Sequence, residues 1–172
     1  MVLRLFLHNI LKASDQVDHK ILILPGDGIG KEIMAEARKV IDRIAGLGHF
    51  RFVSEEAMIG GCSIDRHGVP VCDDVLKRAK ESDAILLGAV GGPKWDQVEY
   101  KLRPEQALLR LRGELGLYAN LRPAVVDPSL MDSSTLKRDV IEGVDLLIVR
   151  ELAGGIYFGK PKGIEKNPDE RE

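Results

Sequence analysis

Lys20-Ile-Leu-Ile-Leu24 is a short continuous apolar run that stops at Pro25-Gly26-Asp27-Gly28-Ile29-Gly30. A run of that length closed by glycines reads as a buried strand entering a tight turn. Ile33, Ala37, Val40, Ile41 and Ile44 then recur at helical spacing until Gly46 and Gly48, so a helix follows. Phe50 to Ala57 alternates β-favouring residues and ends before Gly60-Gly61, as a second strand does. Strand, helix, strand in that order implies a crossover and hence a parallel sheet.

The pattern continues along the chain. Asp73 to Lys80 reads as a helix, Ala84 to Gly88 as another buried strand, and Gly91-Gly92-Pro93-Lys94-Trp95 as a loop. Pro104 opens a helix carrying Leu108, Leu109, Leu111 and Leu115. Leu117 to Val126 has strand character, and after a polar stretch around Asp132 to Arg138, Val144 to Val149 reads as one more buried strand. The expected class is α/β, a parallel or mixed sheet with flanking helices. Lys160 to Glu172 lacks apolar periodicity and reads as an exposed arm or tail.

Composition narrows the function. At 172 residues the chain suits one ordinary domain and is short for a two-domain enzyme. Lys and Arg number 25 against 27 Asp and Glu, with no basic stripe, which argues against a nucleic-acid partner. The apolar stretch within residues 1–12 is too brief to span a bilayer and has no convincing cleavage site, so it reads as an extension outside the fold. Cys62 and Cys72 stand nine residues apart and the four histidines are scattered, which supports neither a zinc site nor a disulfide framework. A reducing cytoplasmic setting is expected.

Several residues could carry chemistry. Gly26-x-Gly28-x-Gly30 fails the dinucleotide fingerprint because Lys31 stands where the third glycine would follow, and it reads first as a tight strand-to-helix turn. The Gly88 to Trp95 loop follows a parallel strand, where ligands gather in open α/β sheets, although Trp95 could equally cover a neighbouring helix. Glu105, Leu108 and Arg112 can share one helix face, where an arginine is ordinarily solvated or paired with a glutamate. Arg122 and Arg150 lie in or at the end of apolar strands, where a charge needs an anion. Tyr157 among glycines packs by default or donates a proton. Three arginines with two leucines suit a small branched dicarboxylate, because a guanidinium grips a carboxylate by two parallel hydrogen bonds.

Four segments in order, Leu24 to Gly30, Leu86 to Trp95, Gly116 to Pro123 and Val149 to Gly159, resemble the 3-isopropylmalate dehydrogenases of the isocitrate/isopropylmalate dehydrogenase family. The likeness runs from about Lys20 to Lys166. It implies an NAD-dependent oxidative decarboxylase of leucine biosynthesis that forms 2-oxo-4-methylpentanoate, is homodimeric and requires Mg or Mn. By the resemblance, Arg112, Arg122 and Arg150 hold the malate carboxylates, Leu108 and Leu109 meet the isopropyl group, and Tyr157 serves the proton-transfer steps. Glu105 lies between substrate and nicotinamide, Gly91, Gly92, Pro93, Lys94 and Trp95 line the cofactor, and Ile29 stands near its adenosine end. The implied domains are 1–19 as an extension, 20–116 as an incomplete cofactor-side domain, 117–159 as the start of a second domain, and 160–172 as the polar arm.

The resemblance also marks what is missing. The family's catalytic lysine, its metal-binding aspartates and its later adenosine loop fall in a following half, so no metal ligand is expected in this chain. NAD or NADP preference is not readable from these residues. The sheet is expected to have uncovered edges and exposed apolar faces. Alone, the chain is expected to be the N-terminal portion of such an enzyme and inactive. The alternatives are a non-catalytic truncated binding or dimerisation module, and a sister decarboxylating dehydrogenase acting on tartrate, homoisocitrate or isocitrate.

Overall fold

A computed structural model describes residues 18–48, 50–152 and 154 of the chain. The described residues separate into two compact units, divided between Leu115 and Gly116. In the first, β1 (Asp18–Gly26) lies between β2 (Arg51–Glu56) and β3 (Ala84–Ala89), and both pairings are parallel. The helices are α1 (Gly30–Gly46), α2 (Gly61–His67), α3 (Asp73–Glu81) and α4 (Glu105–Glu114). The alternation of strand and helix therefore produces the parallel α/β sheet with flanking helices that the sequence implies.

The period of two along β1 distributes its side chains. Leu22 and Leu24 join Val75, Leu76 and Ala79 of α3 and Ala107 and Leu111 of α4 in the core, with Ile59 and Val71. Ile23 turns the other way and is buried on the side of Met34 from α1. Each fully buried aliphatic side chain contributes about 1.5–3 kcal/mol. On α1 the periodicity correctly marks a helix, but its apolar stripe is not core: Ile33, Val40 and Ile44 are 46%, 58% and 40% exposed. Among the described residues no second layer covers the stripe. Helix α2 is absent from the sequence reading because Gly61 to His67 has too few apolar residues to show a period. It ends at Gly68, which has a left-handed backbone.

In the second unit, β4 (Ala119–Val125) pairs antiparallel with β5 (Asp145–Glu151). A 3-10 segment, Pro128–Ser133, and the short helix α5 (Arg138–Ile141) lie between them. The stretch from Val144 to Val149 is a strand as read, but not a buried one, since every residue of β5 is exposed. Met131, Ile141 and Leu152 are the unit's buried hydrophobic side chains among the described residues. Among the described residues no second layer covers the hairpin, so its apolar pattern is exposed. No helix among the described residues is long and apolar enough to cross a membrane.

Candidate functional site

The glycine turn after β1 is shaped by a close approach. Gly26 has φ +73°, and a Cβ there would stand 1.9 Å from the Ala89 carbonyl oxygen; one on Gly30 would stand 2.2 Å from the Pro25 oxygen. These glycines let the turn press against the end of β3, where the Asp27 N–H donates to Ala89 at 2.7 Å. Ile29 projects beside this turn and is exposed.

Asp27 is 3% exposed and meets three backbone donors. Its Oδ2 accepts the Gly61 N–H at 2.6 Å and the Gly91 N–H at 2.9 Å, and its Oδ1 accepts the Cys62 N–H at 2.7 Å. Sequence reasoning passes over Asp27. The signal is its position, since a carboxylate in a glycine turn after a buried strand must find either a ligand or backbone donors. The neighbouring Cys62 thiol is pushed up by burial, with the Asp27 charge adding to the effect and the hydrogen bond to the Ile59 carbonyl opposing it. A thiol so placed stays protonated near neutrality and is a poor nucleophile.

The loop from Gly91 to Trp95 is tied at both ends. Gly91, at φ +101°, is held by Asp27, and Pro93–Trp95 forms a 3-10 turn. The Lys94 ammonium pairs with Asp65 Oδ2 at 2.6 Å and lies 5.3 Å from the Trp95 ring centre. Trp95 Nε1 donates to Asp65 Oδ1 at 3.2 Å, and the ring rests so close to Gly61 that a Cβ there would fall 2.3 Å from it. These contacts hold the Asp65 carboxyl below the usual range, through Lys94 first and Trp95 second. Trp95 thus covers α2. Glu105 reaches back to the loop, its Oε1 2.8 Å from where a Gly91 Cβ would be. Gly92, Trp95 and Glu105 line a common cleft of about 80 Å³ with Asp96, Arg103 and Pro104. A larger cavity of about 420 Å³, lined in part by Lys31, Arg38 and Glu56, contains none of the site residues expected from sequence.

Helix α4 buries Ala107 and Leu111 and presents Glu105, Leu108, Leu109 and Arg112 along another face. Leu108, Leu109 and Arg112 are half-buried. Arg110 pairs with Asp73, whereas Arg112 has no hydrogen-bonding or ionic partner among the described residues.

Arg122 and Arg150 are exposed, which corrects the expectation that they lie in buried strands. The reason is the uncovered hairpin, in which a guanidinium reaches water without crossing a core. Arg122 Nε donates to Asn120 Oδ1 at 2.7 Å. Register places Asn120 opposite Arg150 and Arg122 opposite Ile148, so both arginines stand on one face of the hairpin. Tyr157 lies outside the described residues, as do most of residues 1–19 and the arm at 160–172. Among the described residues no three His, Cys, Asp or Glu side chains form a group that could hold a metal ion, and no chemical step is assigned to a metal on them.

The sequence and the fold both have counterparts among known proteins. The sequence pattern of isocitrate/isopropylmalate dehydrogenases matches residues 20–172. This chain belongs to that family. It is 58% identical over 144 residues to the 3-isopropylmalate dehydrogenase of Pseudomonas putida, covering 84% of this chain and 40% of that protein. The corresponding enzyme of Saccharophagus degradans is 56% identical over 145 residues, covering 84% and 41%. Among solved structures, isocitrate dehydrogenase from Methylococcus capsulatus aligns with a TM-score of 0.66 at 28% identity, over 82% of this chain and 37% of that one. A β-decarboxylating dehydrogenase from Thermococcus kodakarensis, in its apo form, gives 0.57 at 31% identity, over 77% and 33%. The chain spans about 40% of the length of the curated relatives it matches.

Proposed function

We propose that this chain is the substrate-recognition portion of a cytoplasmic, homodimeric 3-isopropylmalate dehydrogenase, an NAD-dependent oxidative decarboxylase of leucine biosynthesis. Residues 20–116 belong to the cofactor-side domain and 117–159 begin the substrate domain. Arg112, Arg122 and Arg150 bind the malate carboxylates, Leu108 and Leu109 meet the isopropyl branch, and Tyr157 moves a proton. Gly91 to Trp95 and Glu105 line the nicotinamide side, Ile29 the adenosine side, and a bound NAD accepts the hydride. Mg or Mn is held by ligands outside the described residues.

One observation carries this reading: α4 sets a half-buried Arg112, without an anionic partner among the described residues, on the same face as Leu108 and Leu109. A cation that is partly desolvated and unpaired is suited to an incoming carboxylate, and adjacent leucines favour an alkyl branch over a third carboxylate. The identities of 56% and 58% to 3-isopropylmalate dehydrogenases, against 28% to an isocitrate dehydrogenase, support the same substrate. The test is a chimera in which this chain replaces the matching residues of the Pseudomonas putida relative. Metal-dependent NADH formation should favour 3-isopropylmalate over isocitrate and tartrate; a preference for either of the latter would overturn the assignment.

A further inference from the structure

We propose that Asp27 is a positioning residue for the Gly91–Trp95 loop, one carboxylate fastening both ends of that loop to the end of β1. The near end is direct, since Gly91 donates to Oδ2. The far end runs through α2: Asp27 accepts from Gly61 and Cys62 at its start, and Asp65 of the same helix holds Lys94 and Trp95. Asp27 itself cannot drift. Its N–H is bonded to Ala89, and its carbonyl accepts the Gly30 N–H at 2.8 Å.

The chemistry is specific to aspartate. Three N–H donors converge on two oxygens, so both oxygens must accept. Asparagine would aim an NH2 at one set of donors, leaving those groups facing another donor. Glutamate would be too long, because a Cβ on Gly60 would already lie 2.4 Å from Oδ2. A carboxylate buried without a cation among the described residues is costly, and charge-assisted bonds from three amides are what offset that cost. Because Glu105 lies against Gly91, the loop's position also sets the cleft that Glu105 shares with Gly92 and Trp95. The consequence for cofactor binding rests on the proposed function.

The test uses the 172-residue chain, in which Trp95 is the single tryptophan. In the wild type, the Gly61, Cys62 and Gly91 amides should exchange with solvent at least about tenfold more slowly than exposed loop amides. In Asp27→Asn, Gly91 protection should fall about tenfold and acrylamide should quench Trp95 more strongly, with far-ultraviolet dichroism unchanged. Leu24→Val, a core change, should lower the melting temperature and leave Trp95 quenching as it was. A Gly91 amide that exchanges freely in the wild type, or an Asp27→Asn chain with both signals unaltered, overturns the proposal; if that variant fails to fold, wild-type exchange decides. Titration of the Pseudomonas putida chimera with NADH is read separately: intact anchoring without any NADH response there would remove the cofactor reading and leave the anchoring role standing.

Discussion

The Lys94 ammonium stands 2.6 Å from Asp65 Oδ2, and the other oxygen of that carboxylate receives the indole N–H of Trp95. Because these partners favour the charged form, the folded carboxyl titrates below its ordinary value. The tie is therefore complete above the unfolded pKa of about 3.9 and is lost as pH falls through the folded one. Trp95 emission should change on acidification with a midpoint below about 3.9, and Lys94→Met should move that midpoint upward. A midpoint at or above the ordinary aspartate value would contradict the pairing.

Glycine substitutions should separate by location. Gly26→Ala places a methyl on the Ala89 carbonyl in a left-handed backbone and is expected to cost about 3 kcal/mol or more. Gly46→Ala meets open space at the end of α1 and should stabilise by about 0.5–1 kcal/mol. Urea denaturation followed by dichroism measures both, and equal effects would refute the close approach.

Arg122→Ala should separate stability from recognition. Its exposed setting predicts a change within about 0.5 kcal/mol in the isolated chain. In the Pseudomonas putida chimera the same change should raise KM for 3-isopropylmalate about tenfold or more, as expected on losing a charge-assisted bond. An unaltered KM would remove Arg122 from the proposed site.

Leu121, Leu147 and Val149 share the hairpin face opposite the arginines and are each about 60% exposed. The wild-type chain should bind a hydrophobic dye and self-associate on sedimentation. Leu147→Lys with Val149→Lys should reduce both at little cost in stability, whereas Leu24→Ala should cost about 2–5 kcal/mol. Undiminished association in the double variant would point to another surface.

What was legible in the sequence followed from local pattern. The apolar run at 20–24, the period of 3.6 in α1 and the proline opening α4 all report elements that form whatever surrounds them. Burial was less legible, because it depends on a neighbour: Ile33, Val40 and the whole of β5 carry core-like sequence yet are exposed, with no covering layer among the described residues. For the same reason a charge in Arg122 or Arg150 looked costly and is not. Arg112 was a plain helix arginine by pattern, and what sets it apart is that Arg110 pairs with Asp73 while Arg112 has no partner among the described residues. Asp27 was hidden because its three donors come from positions 34 to 64 residues away.

The antiparallel register of β4 and β5 sets how insertions and deletions act on this surface. Residues 126–144 connect the strands and can change length without moving Arg122 relative to Arg150, provided the pairing from Ala119 with Glu151 to Val125 with Asp145 is kept. A single deletion between Asn120 and Arg122 would instead send one guanidinium through to the opposite side of the ribbon. Divergence in this lineage can thus lengthen the connection freely while the two strands keep their count.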